Sequence, residues 1–331
     1  MFTMSDVAKR LGLSKAAVSF AVNNRPGVSE STRARVLECI RQMEEEEKEK
    51  GPAVSRKGLL ILVYFRVTSK HIATQKYPLY FDVFQVFAEE ADRRGYLLNT
   101  VTVQNEESLE HAVAECRRPE VKGIIFFATG MSEEQYAGFR SIDKPIVLYD
   151  QEAPDNTRSS VCIDNFTAVH LALESLQIRP TDVVKYLRSD EEIYNLQIRR
   201  RAFITEMLNR GRYVEKSDYV TIDFYPEKGG QDLMAYLQKN PLPDCFLAEN
   251  YSVAEALLTT LNRLSISYPS QVRIASIDVL SEYIPGQNRI VQVSLPHAER
   301  TVLVLDILEQ EIADPSRLKQ RVLALPCILS A

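Results

Sequence analysis

From residue 59 onward the chain alternates apolar runs of strand length with amphipathic stretches of helix length, and it does so in two successive series. GLLILVYF is an uninterrupted apolar run, and YFDVFQVFAEEADRRGY has helical spacing and ends at Gly95. LLNTVTV, SLEHAVAECRR, GIIFFA, MSEEQYAGFRS and PIVLYD continue the series. The pattern restarts at SSVCIDN and runs through DVVKYLRS, NLQIRRRAFITEMLNRG, YVTIDF, DCFLAE and VAEALLTTLNRL to VRIASID. Parallel strands need long crossovers, usually helical, so the fold class expected is α/β, with parallel sheets covered by helices on both faces. Two such series predict two lobes with a ligand cleft between them. Ligands of such sheets gather beyond the carboxyl ends of the strands, so residues that follow strands are the candidates for binding.

The first 43 residues read differently. Thr3 and Asp6 form a T-x-x-D capping pair, and the spacing of Val7, Ala8 and Leu11 predicts a helix over 4–11. Gly12 allows a tight turn and Ser14 caps a second helix over 15–22, with Val18 and Val22 inward. NNRPGV is a loop, and Ser29 caps a third helix with Val36, Leu37, Ile40 and Met43 as its apolar stripe. Three short helices with a tight first turn predict an all-α helix-turn-helix head. Its charge fits a polyanionic partner: seven basic against three acidic residues give +4 in residues 1–43, although the whole chain carries −5.

The stretch TMSDVAKRLGLSKAAVSFAVNNRPGVSESTRARV resembles the DNA-binding head of the LacI/GalR family of bacterial repressors. The D-V-A triplet, the Gly-x-Ser turn, V-S-x-x-x-N and V-S-x-x-T-R all occur in register. The resemblance implies that the second helix enters the major groove by its N-terminal end, with Lys15 and Ala16 facing bases and Ser14, Ser19, Asn23 and Arg25 on phosphates. Thr3, Phe20 and Thr32 complete the expected DNA-contacting set. Phe20 stands where family members often carry Arg; a ring can meet a thymine methyl but cannot bridge a guanine edge. The body resembles the family's sensor domain, which shares its fold with periplasmic sugar-binding proteins. That likeness is weaker and covers 59–331. It implies a homodimer, a double-stranded DNA operator and a small-molecule effector, sugar-like in class.

The division expected is a head over 1–45, an acidic linker over 46–58, and an effector-binding and dimerisation domain over 59–331. Its lobes are expected over 59–158 plus 291–320 and over 159–290 plus 321–331, with crossings near 158–160, 289–292 and 320. Where the family has a hinge that wedges into the minor groove, this chain reads EEEEKEKGPAVSRK. Acidic residues repel phosphates, so this run is read as a continuation of the third helix, stopped by Gly51–Pro52; Val54 lies near the wedge position.

Among candidate ligand residues, Asp150 ends PIVLYD, Asp278 ends RIASID and Asn250 follows DCFLAE. By resemblance, Arg199 matches the family's arginine that clamps a hydroxyl or carboxylate, and Phe81, with Pro78 and Tyr80, matches an aromatic-bearing stretch that stacks on a sugar face. Each also has a structural role open to it: helix cap or turn for the strand-end residues, a solvated face for the Arg199–Arg201 run, plain core for the aromatics. Two departures bear on the cleft: Gln177-Ile178 stand for a Gly-His, and Arg300 stands for a Gly four residues after Pro296.

Other classes fit less well. No G-x-G-x-x-G after a strand, G-x-x-x-x-G-K-[ST], G-x-S-x-G or H-E-x-x-H is present, so no catalytic residues are assigned and an enzyme is only the remote alternative. The five cysteines and four histidines are scattered without metal-ligand spacing, so no metal or cofactor is expected. The polar N-terminus and the lack of a long apolar run predict a cytoplasmic protein without membrane contact, and the family resemblance implies a bacterial one, on the nucleoid when bound to DNA. The closer alternative is a regulator of the same architecture governed by a protein partner instead of a metabolite.

Overall fold

The computed structural model describes residues 4–22, 28–50, 56–66 and 78–329, which separate into two compact units, Met1–Lys57 and Gly58–Ala331. In the first, α1 (Met4–Leu11), α2 (Lys15–Val22) and α3 (Glu30–Lys50) fold around Val7, Ala8, Val18, Ala21, Val36 and Cys39. Gly12 takes φ +64°, a left-handed conformation that lets the Leu13 amide bond back to the Ala8 carbonyl at 2.9 Å and close α1. Ser14 Oγ accepts from the Ala17 amide at 3.1 Å and Ser29 Oγ from the Thr32 amide at 3.1 Å, so both caps form as read. Arg33 donates to the carbonyls of Phe20 and Ala21, tying α3 to the end of α2. The inward residues differ in detail. Val22 and Leu37 are exposed, because α2 buries the Val18/Ala21 pair and α3 the Val36/Cys39/Ile40 face. α3 runs on through the acidic segment to Lys50.

The second unit begins with β1 (Gly58–Phe65), α4 (Pro78–Arg93), β2 (Tyr96–Val103), α5 (Glu106–Arg117), β3 (Val121–Phe127), α6 (Glu133–Ala137), β4 (Ile146–Tyr149) and β5 (Ser159–Ile163). It continues with α7 (Asn165–Ser175), β6 (Val184–Ser189), α8 (Tyr194–Asn209), β7 (Tyr219–Ile222), α9 (Pro226–Lys239), β8 (Cys245–Ala248), α10 (Tyr251–Arg263) and β9 (Arg273–Ile277). It closes with β10 (Val291–Ser294), α11 (His297–Ala313), β11 (Arg321–Ala324) and β12 (Cys327–Leu329). Two six-stranded sheets form, ordered β11-β5-β4-β3-β1-β2 and β12-β10-β9-β8-β6-β7. All pairings are parallel except β10 with β12. The continuous apolar character of β1 and β3 follows from their central place, buried on both faces. α11 lies so close on β3 that a side chain at Gly123 would come within 2.9 Å of Leu308.

The lobe boundaries differ from those read in the sequence. Ser159–Ile163 pairs with β4 in the first sheet, so the chain leaves the first lobe after residue 163, not at 158–160. β10 pairs with β9, so the return falls at 295–296, not 289–292. β11 pairs with β5 and the last crossing falls at 325–326, past 320. The expected crossings come from the family resemblance, whereas strand pairing in this chain follows register, which neither resemblance nor helix–strand alternation carries.

Candidate functional site

The cleft lies between the carboxyl ends of the two sheets, in a cavity of about 60 Å³ lined by residues that include Asp150, Asn195, Arg199, Asn250, Asp278, His297 and Arg300. Small-molecule sites ordinarily enclose roughly 300–1,000 Å³, so this cleft is narrow. Four of the five sequence candidates, Asp150, Arg199, Asn250 and Asp278, meet here.

Asp150 and Asp278 directly follow β4 and β9, and both take left-handed backbone, with φ 79° and 84°. Aspartate tolerates this conformation better than most residues, and it turns each carboxylate from the strand end into the cleft. Their amides stay on the sheets: Asp150 N donates to Val161 O at 2.9 Å and Asp278 N to Val293 O at 2.8 Å.

Asp150 is fully engaged within its lobe. Oδ1 accepts from Arg300 Nη1 at 2.7 Å and Oδ2 from the Thr129 hydroxyl at 2.7 Å. Burial pushes its carboxyl up, but the Arg300 charge and these bonds outweigh burial and hold it below the ordinary carboxylate range. Arg300 is completely buried, with its guanidinium carbon 4.2 Å from the centre of the Tyr149 ring. Its Nη2 donates to Tyr149 Oη and to His297 Nδ1, both at 2.8 Å. Burial also drives the Tyr149 hydroxyl upward.

In the second lobe Asp278 Oδ1 accepts from the Val279 amide at 3.0 Å and lies 3.5 Å from His297 Nε2. Burial raises the Asp278 carboxyl, and His297 and Arg199 more than reverse that. Its Oδ2 accepts no hydrogen bond from the described residues. Arg199 uses Nε on Asn165 Oδ1 at 2.9 Å and Nη1 on the Glu249 carbonyl at 2.7 Å, leaving Nη2 without a partner among the described residues. Asn165 in turn donates to Asn195 Oδ1 at 2.8 Å, and Asn195 reaches the Asp150 carbonyl of the other lobe at 3.3 Å. Asn250 Oδ1 caps α10 through the Val253 amide at 3.0 Å.

Sequence reasoning did not nominate Arg300, His297, Asn165, Asn195 or Thr129 as cleft residues. For Arg300 a signal existed, its departure from a small residue; for His297, Asn165 and Asn195, helix-start positions after strands were the only cue, and for Thr129 its place in the turn after β3. The Arg199–Arg201 run is not a uniform solvated face: Arg199 and Arg200 are buried, and only Arg201 is exposed.

On the head, Phe20 is 36% exposed on α2. Ser14 Oγ is engaged in its cap, and Thr32 Oγ1 lies 2.8 Å from Ser29 Oγ. Thr3, Asn23 and Arg25, and the side chains of Lys15, Ala16, Ser19 and Phe81, lie outside the described residues, as do Val54 and the side chain of Tyr80. No group of three or more metal-ligating side chains occurs among the described residues. No helix among them is long and apolar enough to cross a membrane.

A helix-turn-helix unit joined to a two-lobed α/β unit with a polar cleft defines a class: DNA-binding regulators with a sensor-type body. Residues 3–44 match the family described as "Bacterial regulatory proteins, lacI family". The chain is 22% identical over 283 residues to the HTH-type transcriptional repressor PurR of Glaesserella parasuis, an alignment covering 84% of this chain and 80% of that one. Its fold is similar to that of the transcriptional regulator CelR in its cellobiose complex, at 17% identity, 99% and 98% coverage and a TM-score of 0.70. It is also similar to the lac repressor dimer bound to operator and the anti-inducer ONPF, at 15% identity, 99% and 98% coverage and a TM-score of 0.66. The match to the lacI family of bacterial regulatory proteins is thus to the head, residues 3–44, and the likeness of the body is one of fold.

Proposed function

We propose that the protein is a sequence-specific DNA-binding transcriptional regulator, a repressor in sign, whose operator affinity is set by a small polar molecule of sugar-like class. It acts as a cytoplasmic homodimer. The observation that carries the DNA-binding reading is the head: a Gly12 turn, a Ser14-capped α2 and an exposed Phe20 on a segment of net charge +4. A helix N-terminus with a basic residue at its start suits phosphate and base edges in the major groove. Relatives described as transcriptional repressors support the sign, and a neighbour in complex with cellobiose supports the ligand class.

The effector reading rests on Asp278 Oδ2 and Arg199 Nη2. An acceptor and a donor without partners among the described residues line one cavity, and a hydroxylated ligand supplies the complements of both. A thermal-shift screen of sugars and nucleosides on the full chain tests it. A ligand at 100 times its Kd stabilises the protein by about 2.7 kcal/mol, and Arg199→Ala and Asp278→Ala lose that shift. The narrowness of the cavity, about 60 Å³, favours a second reading in which a protein partner governs the same architecture. A screen without hits, with a partner recovered by pull-down, decides for it.

A further inference from the structure

We propose that Arg300 is a tethered ligand of the cleft: its guanidinium occupies the first-lobe half of the site and, through His297, links the aspartates of the two lobes. Four contacts surround the guanidinium. Asp150 Oδ1 takes Nη1, Tyr149 Oη and His297 Nδ1 take Nη2, and the Tyr149 ring covers one face at 4.2 Å. A carboxylate, two further acceptors and an aromatic face are what a binding site for a free planar cation offers. Here the cation comes from α11 of the same chain, is wholly buried, and keeps Nε without a hydrogen-bond partner among the described residues.

The bridge to the second lobe follows from donor chemistry. A guanidinium has no lone pair to offer, so in a hydrogen bond with Arg300 Nη2 it is His297 Nδ1 that accepts, and Nε2 is the atom turned to the second lobe. Nε2 lies 3.5 Å from Asp278 Oδ1 and makes no hydrogen bond among the described residues, so on this proposal closing of the cleft completes the contact. Asp150, Arg300, His297 and Asp278 thus form one chain from the first lobe to the second. Beside it, Asn195 reaches the Asp150 carbonyl and Tyr194 donates to Glu152 Oε1 at 2.6 Å, also between lobes. The protein therefore carries its own closing ligand. An effector either fits the second-lobe half beside Arg300 or displaces it.

The inference rests on the cleft being the sensor site, but its test needs neither DNA nor effector, so either can fail alone. In Arg300→Ala, low-millimolar guanidinium chloride raises the melting midpoint saturably. The same concentration of sodium chloride does not, and neither wild type nor Arg300→Ala with Asp150→Asn responds to guanidinium. A flat response in Arg300→Ala, or an equal one in wild type, overturns the proposal. Should Arg300→Ala not fold, Arg300→Lys serves, since an ammonium lacks the planar two-nitrogen fork that spans Asp150 Oδ1 and His297 Nδ1. Its amide hydrogen exchange over 193–197 is then about tenfold faster than in wild type, with 59–65 and 245–248 unchanged. Equal exchange over 193–197 overturns the proposal.

Discussion

Asp150 and Asp278 occupy the same structural position in the two lobes: each follows a strand directly, takes left-handed backbone at φ 79° or 84°, and turns a carboxylate into the cleft. Their partners differ. Asp150 is neutralised by Arg300 at 2.7 Å, whereas Asp278 keeps one oxygen open to the cavity. Their substitution therefore has different consequences. Asp278→Ala, like Arg199→Ala, leaves ligand hydroxyls unpaired, at about 1–3 kcal/mol each, and abolishes effector response without weakening DNA binding. Operator affinity measured with and without effector checks this; a normal response in both variants places the ligand elsewhere.

Asp150 carries structure. Arg300→Met alone leaves a buried carboxylate uncompensated and costs about 3–5 kcal/mol, whereas Arg300→Met combined with Asp150→Asn recovers most of that loss. Urea unfolding midpoints of the single and double variants check the difference. Equal midpoints would mean that the buried pair has no such coupling.

The same pair sets an acid limit. The carboxyls of Asp150 and Asp278 lie below their ordinary value of 3.8 in the folded protein, so the unfolded chain binds more protons across that interval. Their contribution is complete above the unfolded value and is lost as pH falls through the folded values. Wild-type stability should fall with acid below about pH 4 more steeply than that of the Asp150→Asn/Arg300→Met protein. Unfolding midpoints across that range check it, and parallel curves contradict it.

Gln177 holds φ 47° at an exposed position just after α7. A side chain in left-handed backbone is strained, and glycine removes the strain at some entropic cost, so Gln177→Gly should stabilise by about 0.5–1 kcal/mol. A lower melting midpoint would show that the glutamine makes a compensating contact.

These cases mark how far the sequence could be read. The bounds of α1 and α2 and the caps of α2 and α3 are legible because Gly12, Ser14 and Ser29 act locally, on backbone within a few residues. The strand-end aspartates were legible because strand termini follow from the apolar runs that precede them. The lobe crossings were not, because whether Ser159–Ile163 pairs with β4 or begins a second sheet is decided by tertiary register. Arg300 reads in the sequence only as a departure, since its meaning lies in a partner 150 residues away in the chain. Val22 and Leu37 were assigned inward from spacing that neighbouring residues satisfied equally well.

α3 continues through the run Glu44–Glu47. If that stretch lies near phosphates in the complex, replacing the four glutamates by glutamine relieves like-charge repulsion and strengthens DNA binding at low salt. Unchanged or weaker binding shows that the run points away from DNA.

The central claim is that the head reads DNA sequence and the chain works as a two-fold pair. Selection of genomic or random duplexes by the full-length protein at low salt tests this directly. The expected product is a near-palindromic site with half-sites about one helical turn apart, bound with an affinity that falls steeply as salt rises. Lys15 replacement should shift the enriched bases, while Arg25 replacement should weaken all sequences alike. Failure to enrich any sequence, with binding no tighter to the selected pool than to random duplex, would contradict the account.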